Sequence, residues 1–105
     1  MRVYLAGPMS GYPGHNLEAF TQAAADLRAS DWDVVVPCEE NPATNIKDLG
    51  WGWSDYLRAD LKLVLSAQGV VVLPGWEASR GACLEVYVAQ QLSMEVIPLA
   101  VALAR

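Results

Sequence analysis

Short unbroken apolar runs alternate along the chain with longer segments in which apolar side chains recur every three or four positions. The runs fall at 2–6 (Arg-Val-Tyr-Leu-Ala), 34–36, 69–73 and 96–99. They are too short for helices, they are rich in valine, and Gly7-Pro8, Pro37 and Pro74-Gly75 stop the first three, so each predicts a buried strand. The longer segments predict helices from Asn16 to about Ala29, from Trp51 to about Ser66 and from Gly81 to Leu92. Asn16 suits the N-cap of the first helix and Glu18 its first turn, and Leu17, Phe20, Ala24 and Leu27 share one face. Residues 38–50 read as a long polar loop and residues 100–105 as a short apolar tail.

The resulting order is β-α-β-α-β-α-β. Strands apolar on both faces place the chain in the α/β class: one domain over residues 1–105, built on a doubly wound, mostly parallel sheet with helices on each side. Ligands of such sheets sit at the carboxyl ends of the strands, where the strand order reverses. The loops at 7–15, 38–50 and 74–80 occupy those ends.

Two acidic residues break the pattern. In the third helix, Gly81, Ala82, Glu85, Val88, Ala89 and Leu92 form the stripe expected to face the sheet, and Glu85 is its only charge. In the second, the stripe of Tyr56, Leu57, Asp60, Leu63, Val64 and Ala67 contains Asp60, while Asp55, Arg58 and Lys62 take the solvent side. A carboxylate on a core-facing stripe costs free energy unless it is paired or opens into a cleft. Each is either a boundary residue hydrogen-bonded to a loop or part of one shared polar pocket. In the second case Glu85 is the reactive centre, and its place near a helix N-terminus favours the ionised form.

Composition narrows the function. A net charge of −5 argues against a nucleic acid polymer as partner. Backbone N–H groups and one arginine still suffice to hold a small phosphate. Cys38 and Cys83 form no CxxC pair and there is one histidine, so no metal or cofactor is expected. No signal peptide precedes the first strand and no apolar run spans a membrane, which makes the cytoplasm the expected location. Four tryptophans and 53% hydrophobic residues in so small a domain point to a homodimer or larger assembly.

Several segments together resemble the nucleoside 2-deoxyribosyltransferase superfamily. They are Tyr4-Leu5-Ala6-Gly7-Pro8-Met9-Ser10-Gly11, then Asn16 and Phe20, Ala59-Asp60, Val70-Val71-Val72-Leu73, and Gly81-Ala82-Cys83-Leu84-Glu85. The resemblance spans residues 3–98 and is nearest to the short members of the superfamily. It implies a flavodoxin-like or Rossmann-like three-layer α/β/α fold. The implied activity is cleavage of the N-glycosidic bond of a nucleoside or nucleoside 5′-monophosphate, with transfer of deoxyribose to another base or to water. Glu85 would be the nucleophile at C1′, Tyr4 the group that orients it, and Asp60 a substrate contact; Asp60 is also a catalytic candidate for protonating or hydrogen-bonding the departing base. Where transferases carry an acidic pair, this sequence has Ser79 and Arg80, and the nucleotide hydrolases place serines near their phosphate. The departure therefore leans toward a 5′-phosphorylated ligand.

The candidate substrate-binding residues are Gly7, Pro8, Met9, Ser10, Gly11 and Tyr12 in the first loop, with Trp76, Ser79, Arg80 and Gly81 around the third. Glycines in the first loop allow close approach to a ligand, although a tight connection into the helix explains them equally. Tyr12 and Trp76 flank the expected mouth, either to stack on a base or to meet a partner subunit. His15 reads as a loop or cap residue rather than a catalyst. Trp51 and Trp53 read as packing for the long loop or an interface, and Cys83 as a small inert residue. Two other functions compete. One is a phosphoribohydrolase of the cytokinin-activating type, whose Leu-Pro-Gly-Gly-x-Gly-Thr-x-x-Glu motif begins like Leu73-Pro74-Gly75-Trp76 but continues differently. The other is a non-catalytic nucleotide-binding or sensing module of the same fold.

Overall fold

The structure, a computed structural model, describes residues 1–9, 11–40 and 50–105. Its strands are β1 (Arg2–Ala6), β2 (Asp33–Val35), β3 (Gly69–Val72) and β4 (Glu95–Pro98). The helices are α1 (Leu17–Ala29), α2 (Pro37–Glu40), α3 (Trp53–Leu65), α4 (Arg80–Gln91) and α5 (Leu99–Ala104). Short 3₁₀ turns at Pro13–Asn16 and Trp76–Ala78 precede α1 and α4.

The four strands form one parallel sheet in the order β2-β1-β3-β4, with Tyr4 level with Val35 on one side and Val70 on the other. The expected parallel sheet is therefore present. Alternation along the strands explains the two cores. Val3, Leu5, Val34, Val71 and Ile97 face α1 and α5, where Phe20, Leu27 and Ala102 meet them. Tyr4, Ala6, Val35, Val70 and Val72 face α3 and α4, where Val64, Ala82, Val86 and Ala89 meet them. The chain leaves β1 toward β2 on one side and returns to β3 on the other. The reversal point thus lies between β1 and β3, and the loops that follow them diverge there.

The ends and faces of the helices differ in places from the sequence expectation. The tail is α5: Ala102 is fully buried against the α1 face, which drives residues 99–104 into a helical turn. Residues 37–40 are helical rather than loop, held by Arg28, whose guanidinium pairs with Glu39 at 2.7 Å and donates to the Val34 carbonyl. The rest of the expected loop, 41–49, lies outside the described residues. Helix α3 starts at Trp53 because the Asp55 carboxylate accepts from the Gly52 N–H at 2.8 Å. In α1, Leu17 is exposed and Ala23 takes its place in the core. In α4, Val86 is buried; Leu92 is 53% exposed because the helix ends at Gln91 and Leu92 is its C-cap. Asn16 stands at the N-cap position but does not cap; its side chain donates back to the Pro8 carbonyl at 2.9 Å.

At the reversal point the backbone of the first loop touches β3's exit. A Cβ added at Gly7 would lie 2.8 Å from the Leu73 Cβ, closer than side chains approach. One at Gly81, in the first turn of α4, meets nothing within 4 Å. We expect Gly7→Ala to destabilise the protein by about 1–3 kcal/mol through overpacking, and Gly81→Ala to leave stability unchanged or slightly raised. Urea midpoints of the two variants measure the contrast.

Candidate functional site

Small residues clear a space at the carboxyl end of the sheet. Gly7, Ala78, Gly81 and Ala82 line a cleft of about 480 Å³ between the first loop and the N-terminal halves of α3 and α4. Only Val64 of α3 is fully buried, so that helix sits against the sheet by its C-terminal half and leaves its N-terminal half beside the cleft. At the floor, the Tyr4 hydroxyl donates to Glu85 Oε2 at 2.6 Å. Tyr4 is fully buried and Glu85 is 5% exposed, the one buried charged residue among those described. Strand β1 supplies the phenol from the sheet, α4 supplies the carboxyl from above it, and α3 brings Asp60 to the same space.

This geometry changes the expected ionisation of Glu85. Burial pushes its carboxyl up from the usual 4.5 to about 8; the Tyr4 hydrogen bond opposes the rise and the Asp60 carboxylate adds to it. Glu85 is the sixth residue of α4, past the first turn where the dipole acts most strongly. Desolvation outweighs it, and at neutral pH the group is mainly protonated. Tyr4 is held well above its usual 10, first by burial and then by the Glu85 and Asp60 charges, so it remains a hydrogen-bond donor.

The edge of the cleft at the start of α4 is cationic. The Arg80 guanidinium stacks 4.1 Å over the Trp53 ring, and among the described residues no carboxylate pairs with it. Trp53 holds the planar group while leaving its N–H edge available. Ser79 caps α4 by accepting from the Ala82 N–H at 3.2 Å. The side chain that sets the helix start thus stands at the same edge as Arg80.

Ten of the residues singled out from the sequence line one cleft: Tyr4, Asp60 and Glu85, then Gly7, Pro8, Met9 and Tyr12, then Ser79, Arg80 and Gly81. Ser10 lies outside the described residues. Gly11 turns outward at φ 83° and is exposed. Trp76 does not reach the cleft: it packs against the core formed with α3 and α4. Cys83 sits behind the site, its thiol 3.3 Å from the Glu77 carbonyl.

Sequence reasoning missed Trp53, Tyr56 and His15, all of which line the cleft. Trp53 and Tyr56 belong to the first turn of α3, where an aromatic at helical spacing reads as packing. Trp51 is the packing residue, edge-on to Tyr56 at 5.4 Å between ring centres. His15 comes in on an unusual turn. Gly14, His15 and Asn16 are successively left-handed, with φ of 57°, 54° and 62°. For a non-glycine residue that conformation costs roughly 1–2 kcal/mol. The His15 N–H to Tyr12 carbonyl bond at 3.0 Å and the Asn16 bond to Pro8 hold it.

Residues 1–98 match the family model described as a domain of unknown function, DUF4406. Comparison with curated proteins gives no match. Among solved structures, the chain is similar to the 2-deoxyribosyltransferase of the psychrotolerant bacterium Bacillus psychrosaccharolyticus, described as a biocatalyst for the synthesis of antiviral and antitumoral nucleosides. The TM-score is 0.70 at 20% identity, over 93% of this chain and 71% of that one. The likeness establishes a shared fold. Among the described residues, no helix is long and apolar enough to cross a membrane.

The raised carboxyl makes stability depend on pH. Its folded value, about 8, lies above the usual 4.5. Between these values the folded state binds the extra proton, so this contribution is complete below 4.5 and is lost as pH rises through 8. The slope from this group is at most about 1.4 kcal/mol per pH unit. We expect the urea midpoint to fall between pH 5.5 and pH 8.5, and Glu85→Gln, which keeps an acceptor for Tyr4, to flatten that fall and exceed the parent protein at the higher pH.

Proposed function

The chain belongs to the DUF4406 family, and for this member we propose cleavage of the N-glycosidic bond of a nucleoside 5′-monophosphate, with Glu85 as the nucleophile. The observation that carries the reading is the buried 2.6 Å hydrogen bond from Tyr4 to Glu85 at the floor of a cleft of nucleotide size. Tyr4 fixes one carboxyl oxygen and leaves the other for C1′. Departure of a base from the sugar generates an oxocarbenium-like centre, which a carboxylate beneath C1′ stabilises or traps as a glycosyl ester. Water then releases the sugar, or an acceptor base takes it. Glu85 must first lose its proton, and a cationic centre above it favours that loss. Asp60 contacts the substrate beside it.

The lean toward a phosphorylated substrate rests on the edge of the cleft at the start of α4. A guanidinium laid on Trp53 without a carboxylate partner among the described residues offers a planar fork to a phosphate. Gly81 and Ala82 bring the start of α4 to the same edge. We take the protein to act in the cytoplasm as a homodimer or larger assembly. The exposed Leu84 and Tyr87 on α4 and Leu65 on α3 are the surface such an assembly would cover.

Base release from nucleosides and 5′-monophosphates, with and without an acceptor base, tests the reading by chromatography. Free base from a monophosphate alone is expected. Exchange seen only with acceptor present would redirect the reading to transfer, and no release from any substrate would leave a binding module. With an active substrate, Glu85→Gln should abolish turnover.

Two further variants separate the roles of the residues around Glu85. Tyr4→Phe removes a hydrogen bond to a charged group and should lower kcat/KM about 10- to 100-fold. It should also move the rising limb of the pH profile above its expected midpoint near 8, because the Tyr4 bond lowers the carboxyl's pKa. Arg80→Ala should raise KM for the monophosphate by a similar factor and leave the matching nucleoside almost unaffected.

A further inference from the structure

A base leaving as its anion is a poor leaving group, and a proton delivered to a ring nitrogen removes that barrier. Glu85 is committed below the sugar. The base, on the opposite side of C1′ from the nucleophile, faces the other wall of the cleft. Topology determines which residues stand there. Helix α1 lies on the opposite face of the sheet from α4, and the turn Pro13–Asn16 leads into it, so that turn forms the wall across from α4. His15 is the member of that turn that lines the cleft. It does so in a left-handed conformation that glycine would adopt without strain, between Gly14 and an Asn16 tethered to Pro8.

We propose that His15 is the catalytic acid that protonates the departing base; the assignment rests on the glycosidic reading above. In the first step the C1′–N bond breaks and its electron pair goes to the base. The imidazolium N–H proton goes to a ring nitrogen of the base, and a Glu85 oxygen bonds to C1′. In the second step water attacks C1′, the bond to Glu85 breaks, and the water proton returns to the neutral imidazole. Atoms and charge balance over the cycle, and one ring serves as acid and then as base. The strained turn serves to hold the imidazole at the mouth over the base, while Glu85 waits at the floor.

The test compares leaving groups. With whichever of dAMP, dGMP, dCMP or dTMP the protein cleaves, His15→Ala should lower kcat about 100-fold or more. With 4-nitrophenyl 2-deoxyriboside 5-phosphate, whose leaving group departs without a proton, the same variant should stay within a few-fold of the parent. His15→Gly should melt at a higher temperature than the parent, because the strain is relieved, and yet show the same selective loss. Because the chain has a single histidine, its ring resonances are unambiguous. They should shift when the cleaved monophosphate is added to Glu85→Gln. An equal loss on both substrates, no loss on either, or unmoved ring resonances in the bound state would overturn the role of His15 and leave Glu85 in place. If the parent protein cleaves neither the monophosphates nor the 4-nitrophenyl compound, the glycosidic reading fails and the assignment falls with it.

Discussion

The hydrogen bond between Tyr4 and Glu85 is the constraint to which the rest of the site conforms. A phenol in the middle of a central strand and a carboxyl inside a core-facing helical stripe are each poor choices alone, because burying a polar group without a partner costs several kcal/mol. Together they satisfy one another at 2.6 Å. Their meeting requires β1 to be an interior strand, which the order β2-β1-β3-β4 provides. It also requires α4 to lie close over that strand, which Ala82 and Ala89 on its inner face permit. Ala82, one of the residues that allow the approach, also lines the cleft. Fold, site and ionisation thus share a cause.

Much of this was legible in the sequence, and for a physical reason. Periodicity reports which side chains face the core, so an acidic residue on an apolar stripe stands out against its neighbours. Glu85 and Asp60 were identifiable in this way, and Tyr4 through the resemblance of its strand to a known family. The parallel sheet followed from valine-rich runs buried on both faces. What escaped the sequence depended on three-dimensional neighbours. The apolar tail became α5 because Ala102 found space against α1. Trp76 and Trp53 exchanged the roles expected of them, since which aromatic reaches a cleft depends on how its turn is oriented, and composition carries no record of that. His15 escaped because two non-glycine residues held left-handed leave no trace in a hydropathy pattern.

The ionisation of Glu85 shows where local rules lose to tertiary context. A carboxylate early in a helix is stabilised by the dipole, typically by about 0.3–1 kcal/mol. Removal from water acts in the other direction and is larger, which is why the carboxyl rises to about 8 despite the hydrogen bond from Tyr4. The dipole argument fails here because the α4 segment that carries Glu85 has been pressed into the core, where the fixed field of the helix end is weaker than the lost hydration.

In the glycosidic reaction proposed for this protein, that imbalance is useful. A nucleophile already fully ionised in the free protein would be solvated or paired, and its interaction with substrate and transition state would be similar. A carboxyl kept neutral by burial gains its charge most favourably when positive charge develops above it. Its interaction is therefore stronger in the transition state than in the ground state, and only such a difference accelerates the chemical step. The rest of the cleft sharpens the contrast. Arg80, stacked on Trp53, supplies a permanent positive charge to the same cleft, which in the proposed reaction holds an anionic group of the substrate. In that proposal binding draws on the positive charge of Arg80 and chemistry on the negative charge that Glu85 gains, both within one cleft.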